Sequence, residues 1–198
     1  MEKALKTGES NASMKRIVAA PTAGSCGVVP AVFLTLEEEK HFSEEKMVEA
    51  LYVAAGIGGV IANRAFLAGA AGGCQAEIGS ASAMAAGGVA YLMGGDAVQI
   101  SHAAALALKN LLGLACDPVA GLVEVPCVKR NVMGAVNAMT SSDMVMAGIT
   151  SKIPPDEVID AMRAIGRSMS EDIRETGKGG LAGTPTGVAI RERMAGTL

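Results

Sequence analysis

Three of the four cysteines stand in sequence surroundings that are typical of metal ligands. Cys74 follows two glycines in "GGCQAE", Cys116 precedes an Asp-Pro pair in "CDPVAG", and Cys127 follows a proline in "VPC". Each stands at a predicted joint or helix end and not within an apolar stripe. A thiolate near a helix N-terminus is favoured by the helix dipole, and glycines let backbone N–H groups approach a bulky inorganic centre. These residue types indicate ligation of a metal centre.

The spacing of these cysteines leaves a second interpretation open. They are 42 and 11 residues apart, which matches neither common zinc modules nor ferredoxin patterns, and the chain contains no C-x-x-C pair. Free cysteine is also among the residues most often buried as a small apolar side chain. The opening "MEKALKTGESNASMKR" lacks the apolar region of a secretion signal, so a reducing, cytoplasmic location is expected and disulfides are the poorer explanation.

The loop "TAGSCG" contains two further kinds of candidate. Thr22 and Ser25, together with closely spaced backbone N–H groups at Gly24 and Gly27, are predicted to hold a substrate carboxylate, with an ordinary turn as an equal alternative. Cys26 lies in the same loop. A fourth ligand and a resolving thiol are both conceivable roles for it, but a thiol beside two glycines also suits simple packing. We predict that Cys26 lies outside the centre.

Other polar residues near the cysteines are weaker candidates for substrate binding. Ser80 and Ser82 either bind polar groups of a substrate or merely permit close helix packing. Arg130 and Asn131 follow Cys127 by one helical turn, where they are placed to bind substrate or a metal-bound group. Arg130 is favoured because a guanidinium binds a carboxylate through two bonds. Its neighbour Lys129 is predicted to face solvent.

No general base is assigned from the sequence. His41 lies in the charged stretch "EEEKHFSEEK", and His102 lies in an apolar helix, where a satisfied core histidine is the expected role. Glu77 stands three residues after Cys74 in an apolar setting that raises a carboxyl pKa, so it is a weak candidate acid or base, with a structural hydrogen-bond role as the alternative. Thr184 and Thr186 either close over the site or form a polar turn.

The composition indicates the kind of scaffold that positions these residues. The chain has 198 residues, of which 50% are hydrophobic, with 25 glycines, 12 methionines and only five aromatic residues. Strands are usually built from β-branched and aromatic residues, so the prediction is an all-α domain over residues 1–198, in which Gly/Ala-rich helices are buried and glycine-rich loops carry the ligands. The net charge of -3 and the absence of a Lys/Arg cluster argue against nucleic acid and anionic membranes.

Periodicity and capping residues predict five or six helices. Ser43 is a candidate N-cap of a helix that runs to Asn63, and Asp96 caps one that runs to Leu112. Another helix follows Cys127 through Met146. Pro155 suits a first helical position, and apolar residues recur at helical spacing from Val158 through Met169 and Ile173 before Gly177.

Two apolar stretches have more than one interpretation. The charge-free run from Ile78 to Gly95 reaches the length of a membrane span, but it contains five glycines and lacks basic and aromatic anchors, so a buried helix or helix pair is predicted. The stretch "VVPAVFLTL" resembles a strand except for Pro30, which would remove a hydrogen-bond donor from a sheet. That proline fits the start of a helix better.

Four motifs in order, "APTAGSCGVVPAV", "GGCQAEIGSASAMAAGG", "NLLGLACDPVAGLVEVPCVKRN" and "TGKGGLAGTPTG", resemble the catalytic α part of the iron–sulfur-dependent L-serine dehydratases, also called L-serine ammonia-lyases. The resemblance runs from about residue 11 to about residue 191. It implies that Cys74, Cys116 and Cys127 bind a [4Fe-4S] cluster through three irons and leave the fourth iron for substrate. An open iron would act as a Lewis acid on the serine hydroxyl, and the product would hydrolyse to pyruvate and ammonia.

The resemblance also implies partners. The family's α part works with a β subunit or β domain, and its usual N-terminal portion is expected to be absent here, so the chain is expected to be a fragment or split subunit that acts on L-serine in an oligomer. Two other functions stay open. One is a related lyase that eliminates sulfide from cysteine, and the other is a non-catalytic or electron-transfer iron–sulfur protein with a fourth ligand.

Overall fold

The chain folds into α-helices joined by short loops and single 3₁₀ turns, and the computed structural model describes residues 1–196. Nine α-helices lie within these residues and no β-strand does, which confirms the predicted all-α class. In chain order the helices are α1 (Glu2–Ala12), α2 (Val29–Lys40), α3 (Glu44–Arg64), α4 (Gly69–Gly72), α5 (Ser80–Leu92), α6 (Ala97–Lys109), α7 (Cys127–Met146), α8 (Pro155–Ser168) and α9 (Pro185–Ala195).

The predicted helix starts are confirmed where a local capping residue defines them. Ser43 Oγ accepts a hydrogen bond from the backbone N–H of Lys46 at the start of α3. Asp96 and Gln99 form a reciprocal capping box at the start of α6. Pro155 is the first residue of α8, and Pro30 lies in the first turn of α2. These starts depend on contacts within one turn, and the sequence alone therefore predicts them.

Two predicted helix ends are wrong. Helix α6 ends at Lys109 and not at Leu112, because the chain turns towards Gly113, whose φ of 84° lies in the left-handed region. Helix α8 ends at Ser168, and Met169 is extended, so the helical spacing of Met169 and Ile173 does not mark a continued helix. The carbonyl of Ile173 instead accepts a hydrogen bond from the N–H of Cys116 at 2.8 Å.

The prediction of five or six helices is too low for the described part of the chain. Helix α1 forms within the polar opening segment, and only Ala4 and Gly8 of it are buried. Helix α9 begins at Pro185, where Thr184 accepts a hydrogen bond from the N–H of Gly187. Both helices have polar average compositions, and the sequence prediction therefore missed them.

Helix α5 occupies the centre of the fold and packs against α3, α6 and α7. All of its residues except Tyr91 are buried. Its small residues make room for larger neighbours, since a Cβ added at Gly87 would lie 2.1 Å from Ile57 and one added at Gly88 would lie 2.4 Å from Phe33. The predicted buried helix is confirmed here. Among residues 1–196, no helix is both long and apolar enough to cross a membrane.

Buried apolar residues form two neighbouring clusters. The larger joins α1, α2, α3, α5, α6 and α7, and the smaller joins α8 to α3 and α6. Ile57 packs against both clusters. The single domain over 1–198 stays a prediction, and its residues 197 and 198 lie outside the described part of the chain.

Candidate metal centre

The fold brings together the three cysteines that the sequence separates. Cys74 lies between α4 and a π-helical turn (Gln75–Gly79), Cys116 lies in the loop after α6, and Cys127 is the first residue of α7. All three are buried and free. The Cys74 thiol is within hydrogen-bonding reach of the Cys116 and Cys127 thiols. Single-turn π-helices are rare and occur often at functional sites, so the turn after Cys74 is consistent with one.

The three thiols differ in pKa, which is lowered for Cys74 and raised for Cys116 and Cys127. Hydrogen bonds from Cys116 and Cys127 lower the pKa of Cys74 to about 3, with help from the nearby Arg130 cation and against the effect of burial. The same contact with Cys74, together with burial, raises the pKa of Cys116 and of Cys127. One thiolate is therefore stabilised by two neutral thiols. Metal ligation would replace the remaining protons, since a coordinating thiol is deprotonated.

The residues before and after Cys74 fix its position. Gly73 before it has a φ of 76°, where a side chain would be strained, and a Cβ there would lie 2.7 Å from the Leu114 carbonyl. Gln75 after it is fully buried, and its side chain donates to the Met162 carbonyl at 3.1 Å and accepts from the Gly113 N–H at 2.9 Å. Gln75 thereby joins the Cys74 turn to α8 and to the loop after α6. The sequence prediction missed Gln75, although its place directly after Cys74 is a signal.

Cys116 is fixed by the segment that follows α8. Its N–H donates to the Ile173 carbonyl at 2.8 Å, and its carbonyl accepts from the Glu175 N–H at 2.7 Å. These two bonds form an isolated parallel bridge between Cys116 and Arg174. Helix α8 ends at Ser168, and a 3₁₀ turn (Glu171–Ile173) then leads the chain into this pairing. The incorrect helix prediction therefore falls on residues that position a candidate ligand.

A buried ion pair supports the cysteines. Arg130 Nη1 lies 2.9 Å from Asp117 Oδ1 and donates to the Ala115 carbonyl at 2.7 Å. Asp117 Oδ2 accepts from the N–H of Leu181 at 2.8 Å, which ties the C-terminal "GLAG" turn to this loop. The sequence prediction missed Asp117, although its place directly after Cys116 is a signal. Arg130 was predicted to bind a substrate carboxylate, and that role stays a prediction.

Glu77 lies beside two of the thiols in a space bordered by two glycines. One of its carboxylate oxygens lies within 4.8 Å of both the Cys74 and the Cys116 sulfur. Thr22 Oγ1 donates to Glu77 Oε1 at 2.7 Å. A Cβ added at Gly24 would lie 2.7 Å from Oε1, and one at Gly69 would lie 2.9 Å from Oε2. Burial raises the pKa of Glu77 to about 7, against the lowering effect of the Thr22 hydrogen bond.

The predicted substrate loop is held by Ser25 and Asn131. The fully buried Ser25 accepts a hydrogen bond from the Thr22 N–H at 3.4 Å and donates to the Thr22 carbonyl at 3.3 Å. Asn131 accepts from the Gly27 N–H and donates to the carbonyls of Gly24 and Cys127, all within 2.9 Å. Asn131 therefore joins the loop to the first turn of α7. Any contact of Thr22, Ser25 or Asn131 with substrate stays a prediction.

The two serines after the π-helical turn have different environments. Ser80 is fully buried, and its Oγ has no hydrogen-bond partner among the described residues. Ser82 is also buried, and it donates to the Gly134 carbonyl and accepts from Asn137 Nδ2, each at 2.8 Å. Ser82 therefore joins α5 to α7. Substrate binding by Ser80 stays a prediction.

The remaining candidates either bond to other residues or are exposed to solvent. Cys26 donates to the Thr7 carbonyl at 3.7 Å, and burial raises the pKa of its thiol. His102 Nδ1 accepts from the Ser151 N–H at 3.2 Å, and His41 is exposed at the end of α2. Thr186, Thr184 and Lys129 are exposed. Within residues 1–196, neither Cys26 nor His102 makes a hydrogen bond to Cys74, Cys116 or Cys127.

An open cavity of about 380 Å³ lies against the site, a size that suits a small-molecule ligand. Cys116, Cys127 and Glu77 line it together with Glu124 and Glu175. The donor set fits a thiolate-bound metal centre because three thiols converge beside this space. Gly69 also leaves room there, since a Cβ at that position would lie 3.0 Å from Cys116 Sγ.

The fold and the site together define an all-α protein with a cysteine-rich candidate metal centre beside an open cavity. The chain belongs to the family described as serine dehydratase alpha chain, because the profile of that family matches residues 1–182. The chain is 56% identical over 196 residues to a probable L-serine dehydratase alpha chain of Bacillus subtilis, covering 99% of this chain and 65% of that relative.

Two further relatives differ in how much of their length is matched. A probable L-serine dehydratase alpha chain of Latilactobacillus sakei is 53% identical over 99% of this chain and 94% of its own length. An L-serine dehydratase of Escherichia coli is 41% identical over 90% of this chain, and the match covers 40% of that relative. The chain therefore spans less than two thirds of the Bacillus subtilis and Escherichia coli proteins.

Proposed function

We propose that this chain is the catalytic part of an L-serine dehydratase, which converts L-serine to pyruvate and ammonia. The observation that carries the proposal is the convergence of three buried free thiols: Cys116 and Cys127 line an open cavity, and Cys74 lies behind them within hydrogen-bonding reach of both. Membership of the serine dehydratase alpha chain family, and relatives named as L-serine dehydratases, support the choice of reaction.

We propose that the three cysteines hold a [4Fe-4S] cluster. When bound through three thiolates, such a cluster would supply an iron with an open coordination position, which is a Lewis acid for the substrate hydroxyl. Three ligands suit this purpose because a fourth thiolate would occupy that position. The same thiols need a reducing environment to stay free, and we therefore place the protein in the cytoplasm.

Arg130 and Asp117 have a positioning role in this proposal. The Arg130 cation stabilises the Cys74 thiolate, and Asp117 holds that cation from the residue next to Cys116. Asn131 and Ser25 keep the loop that contains Thr22 in place against α7. These residues act on substrate through the geometry of the ligands and the loop. We keep Ser80 as a candidate for direct substrate contact, because its hydroxyl has no hydrogen-bond partner among the described residues.

We propose that Glu77 exchanges a proton with the bound substrate and that Thr22 orients it. The support is geometric, because the Glu77 carboxylate lines the cavity, lies next to Cys116 and accepts a hydrogen bond from Thr22. A group that transfers a proton must lie within hydrogen-bonding reach of the substrate, and the wall of the cavity satisfies that requirement. We propose that any other proton-transfer group lies on the β subunit or β domain.

We propose that the active enzyme contains a β subunit or β domain in addition to this chain. Support comes from the relatives in Bacillus subtilis and Latilactobacillus sakei, which are named alpha chains. The chain also spans only 40% of the Escherichia coli L-serine dehydratase. A second polypeptide or domain would complete the open side of the cavity and exclude water from it.

The test is anaerobic reconstitution of the chain with iron and sulfide, followed by assays with and without its β partner. We expect nearly stoichiometric cluster, slow release of pyruvate from L-serine by the chain alone, and a large increase when the β partner is added. Release of sulfide from L-cysteine without pyruvate from L-serine would favour the cysteine lyase instead. A reversible redox titration with neither product would favour an electron-transfer protein.

A further inference from the structure

The charged side chains that line the cavity beside the three thiols all have the same sign. They are Glu77, Glu124 and Glu175, and among the described lining residues there is no lysine, arginine or histidine. Such a wall repels an anion that carries no cationic group, and it attracts a cation. L-serine is a zwitterion whose one cationic group is the α-ammonium. The charge of the wall therefore suits that end of the substrate.

Glu175 is tied to the candidate metal centre more closely than Glu124. The N–H of Glu175 donates to the Cys116 carbonyl at 2.7 Å. Burial is the main cause of the raised pKa of Glu77, and the charge of Glu175 adds to it, so these two carboxylates lie near each other. Glu124 lies in an exposed loop and, within residues 1–196, makes no hydrogen bond to a candidate ligand. Glu175 is therefore the acidic residue best placed to act together with Glu77.

The backbone of Glu175 has a conformation that disfavours a side chain. Its φ is 67°, in the left-handed region, where glycine is the usual residue. Within residues 1–196 the exposed Glu175 carboxylate makes no hydrogen bond or ion pair, so no such contact inside the chain offsets this cost. Strained residues of this kind cluster at functional sites. A side chain that its own fold does not need is free to contact a ligand in the cavity.

We propose that the Glu175 carboxylate binds the α-ammonium group of L-serine and thereby selects amino acids over hydroxy acids that lack the amino group. This inference rests on the proposed dehydratase function. The ammonium nitrogen lies about 1.5 Å from the carbon that carries the α-proton, so the protein groups that contact these two must be neighbours. Glu77 and Glu175 meet this requirement. Glu175 then acts in substrate binding, and Glu77 acts in proton exchange.

The first measurement is the steady-state kinetics of the complete enzyme, reconstituted with iron and sulfide and supplied with its β partner. We expect Glu175→Gln to raise KM for L-serine by about 10-fold, the value of one lost charged contact, and to keep kcat within about twofold. Iron content should match the parent. The matched control is Glu171→Gln, which removes the same charge from an exposed residue of the same segment outside the cavity. It should keep the KM of the parent.

A ligand without the amino group separates ammonium binding from a general loss of shape. β-Hydroxypropanoate is L-serine without its α-ammonium group, and it serves as a competitive inhibitor of pyruvate release. We expect Glu175→Gln to leave its inhibition constant within about twofold of the parent value, because Glu175 has no group to contact in this ligand. Equal weakening of L-serine and β-hydroxypropanoate would indicate a structural role and would overturn the inference.

Glu175→Gly tests the backbone strain separately. Glycine suits a φ of 67°, so we expect this variant to be at least as stable as the parent in thermal unfolding followed by circular dichroism. Its KM for L-serine should still rise by about 10-fold. Parent-like KM in Glu175→Gln or Glu175→Gly would overturn this inference alone. A parent enzyme that releases no pyruvate from L-serine would overturn the proposed function and this inference with it.

Discussion

Asp117 Oδ1 lies 2.9 Å from Arg130 Nη1, and both side chains are mostly buried. Asp117 directly follows Cys116, and Arg130 lies three residues after Cys127 and also contacts the Cys74 thiol. One ion pair therefore adjoins or contacts all three candidate ligands. The hydrogen bond from Leu181 to Asp117 extends this link to the C-terminal part of the chain. The charge of the thiolate and the position of the loop depend on the same two residues.

Replacing Asp117 should destabilise the cluster-free protein. In Asp117→Asn the shape is kept, but Arg130 loses its carboxylate partner in a buried place, so we expect the free energy of unfolding to fall by about 3 kcal/mol in urea titrations. The control is Asp160→Asn, which removes a half-exposed partner of Arg64 and should cost less than about 1 kcal/mol. Equal losses in the two variants would contradict a special role for the buried pair.

Replacing any one candidate ligand should abolish stable iron binding. Each of Cys74→Ala, Cys116→Ala and Cys127→Ala leaves two thiolates, which are too few to retain a cluster against a chelator. We expect little iron or sulfide and little visible charge-transfer absorption after anaerobic reconstitution. Cys26→Ala is the control and should match the parent, because Cys26 contacts the Thr7 carbonyl and is separate from the three thiols. Loss of iron in Cys26→Ala, with retention in Cys127→Ala, would overturn the ligand assignment.

Replacing Glu77 should affect turnover and not iron content. Glu77→Gln keeps the size of the side chain but removes its capacity to accept a proton, so we expect kcat to fall by about 10²-fold in the complete enzyme. Thr22→Val should lower kcat less, and Thr22→Ser should keep activity because it retains the hydroxyl that donates to Glu77. The measurements are pyruvate release and iron content. Parent-like kcat in Glu77→Gln would show that proton transfer belongs to another group.

Local sequence signals predicted a large part of the fold. Ser43 and Asp96 cap their helices through bonds to residues three positions away, and such contacts are visible in the sequence itself. The predicted end of α8 was wrong because Met169 and Ile173 continue the apolar periodicity. In the structure, the Ile173 carbonyl instead bonds to Cys116, a residue far away in sequence. Helical spacing carries no information about a hydrogen bond between residues far apart in sequence.

The sequence predicted those residues of the candidate site that lie in distinctive motifs. It did not predict residues whose role depends only on their position after folding. The three cysteines were selected by their surrounding motifs, whereas their spacing alone favoured ordinary buried thiols. Asp117 was missed, because its role depends on where Arg130 and Leu181 lie after folding. The hydroxyls and glycines of the loop around Thr22 led to the prediction that it holds substrate, and that role stays a prediction. The space that Gly24 and Gly69 leave for Glu77 is visible only in three dimensions.

Adding one methyl group at Gly24 should displace Glu77 without touching a ligand. The φ of Gly24 is outside the left-handed region, so alanine suits the backbone, but its Cβ would lie 2.7 and 2.9 Å from the two carboxylate oxygens. We expect Gly24→Ala to keep its iron and lose about 10²-fold in kcat, since a shift of about 1 Å can cost that much. Shortening the acid with Glu77→Asp in the same chain should restore part of this loss. Gly196→Ala, where the nearest atom is 3.6 Å away, is the control and should behave like the parent. Unchanged kcat in Gly24→Ala would mean that the position of the Glu77 carboxylate does not limit turnover.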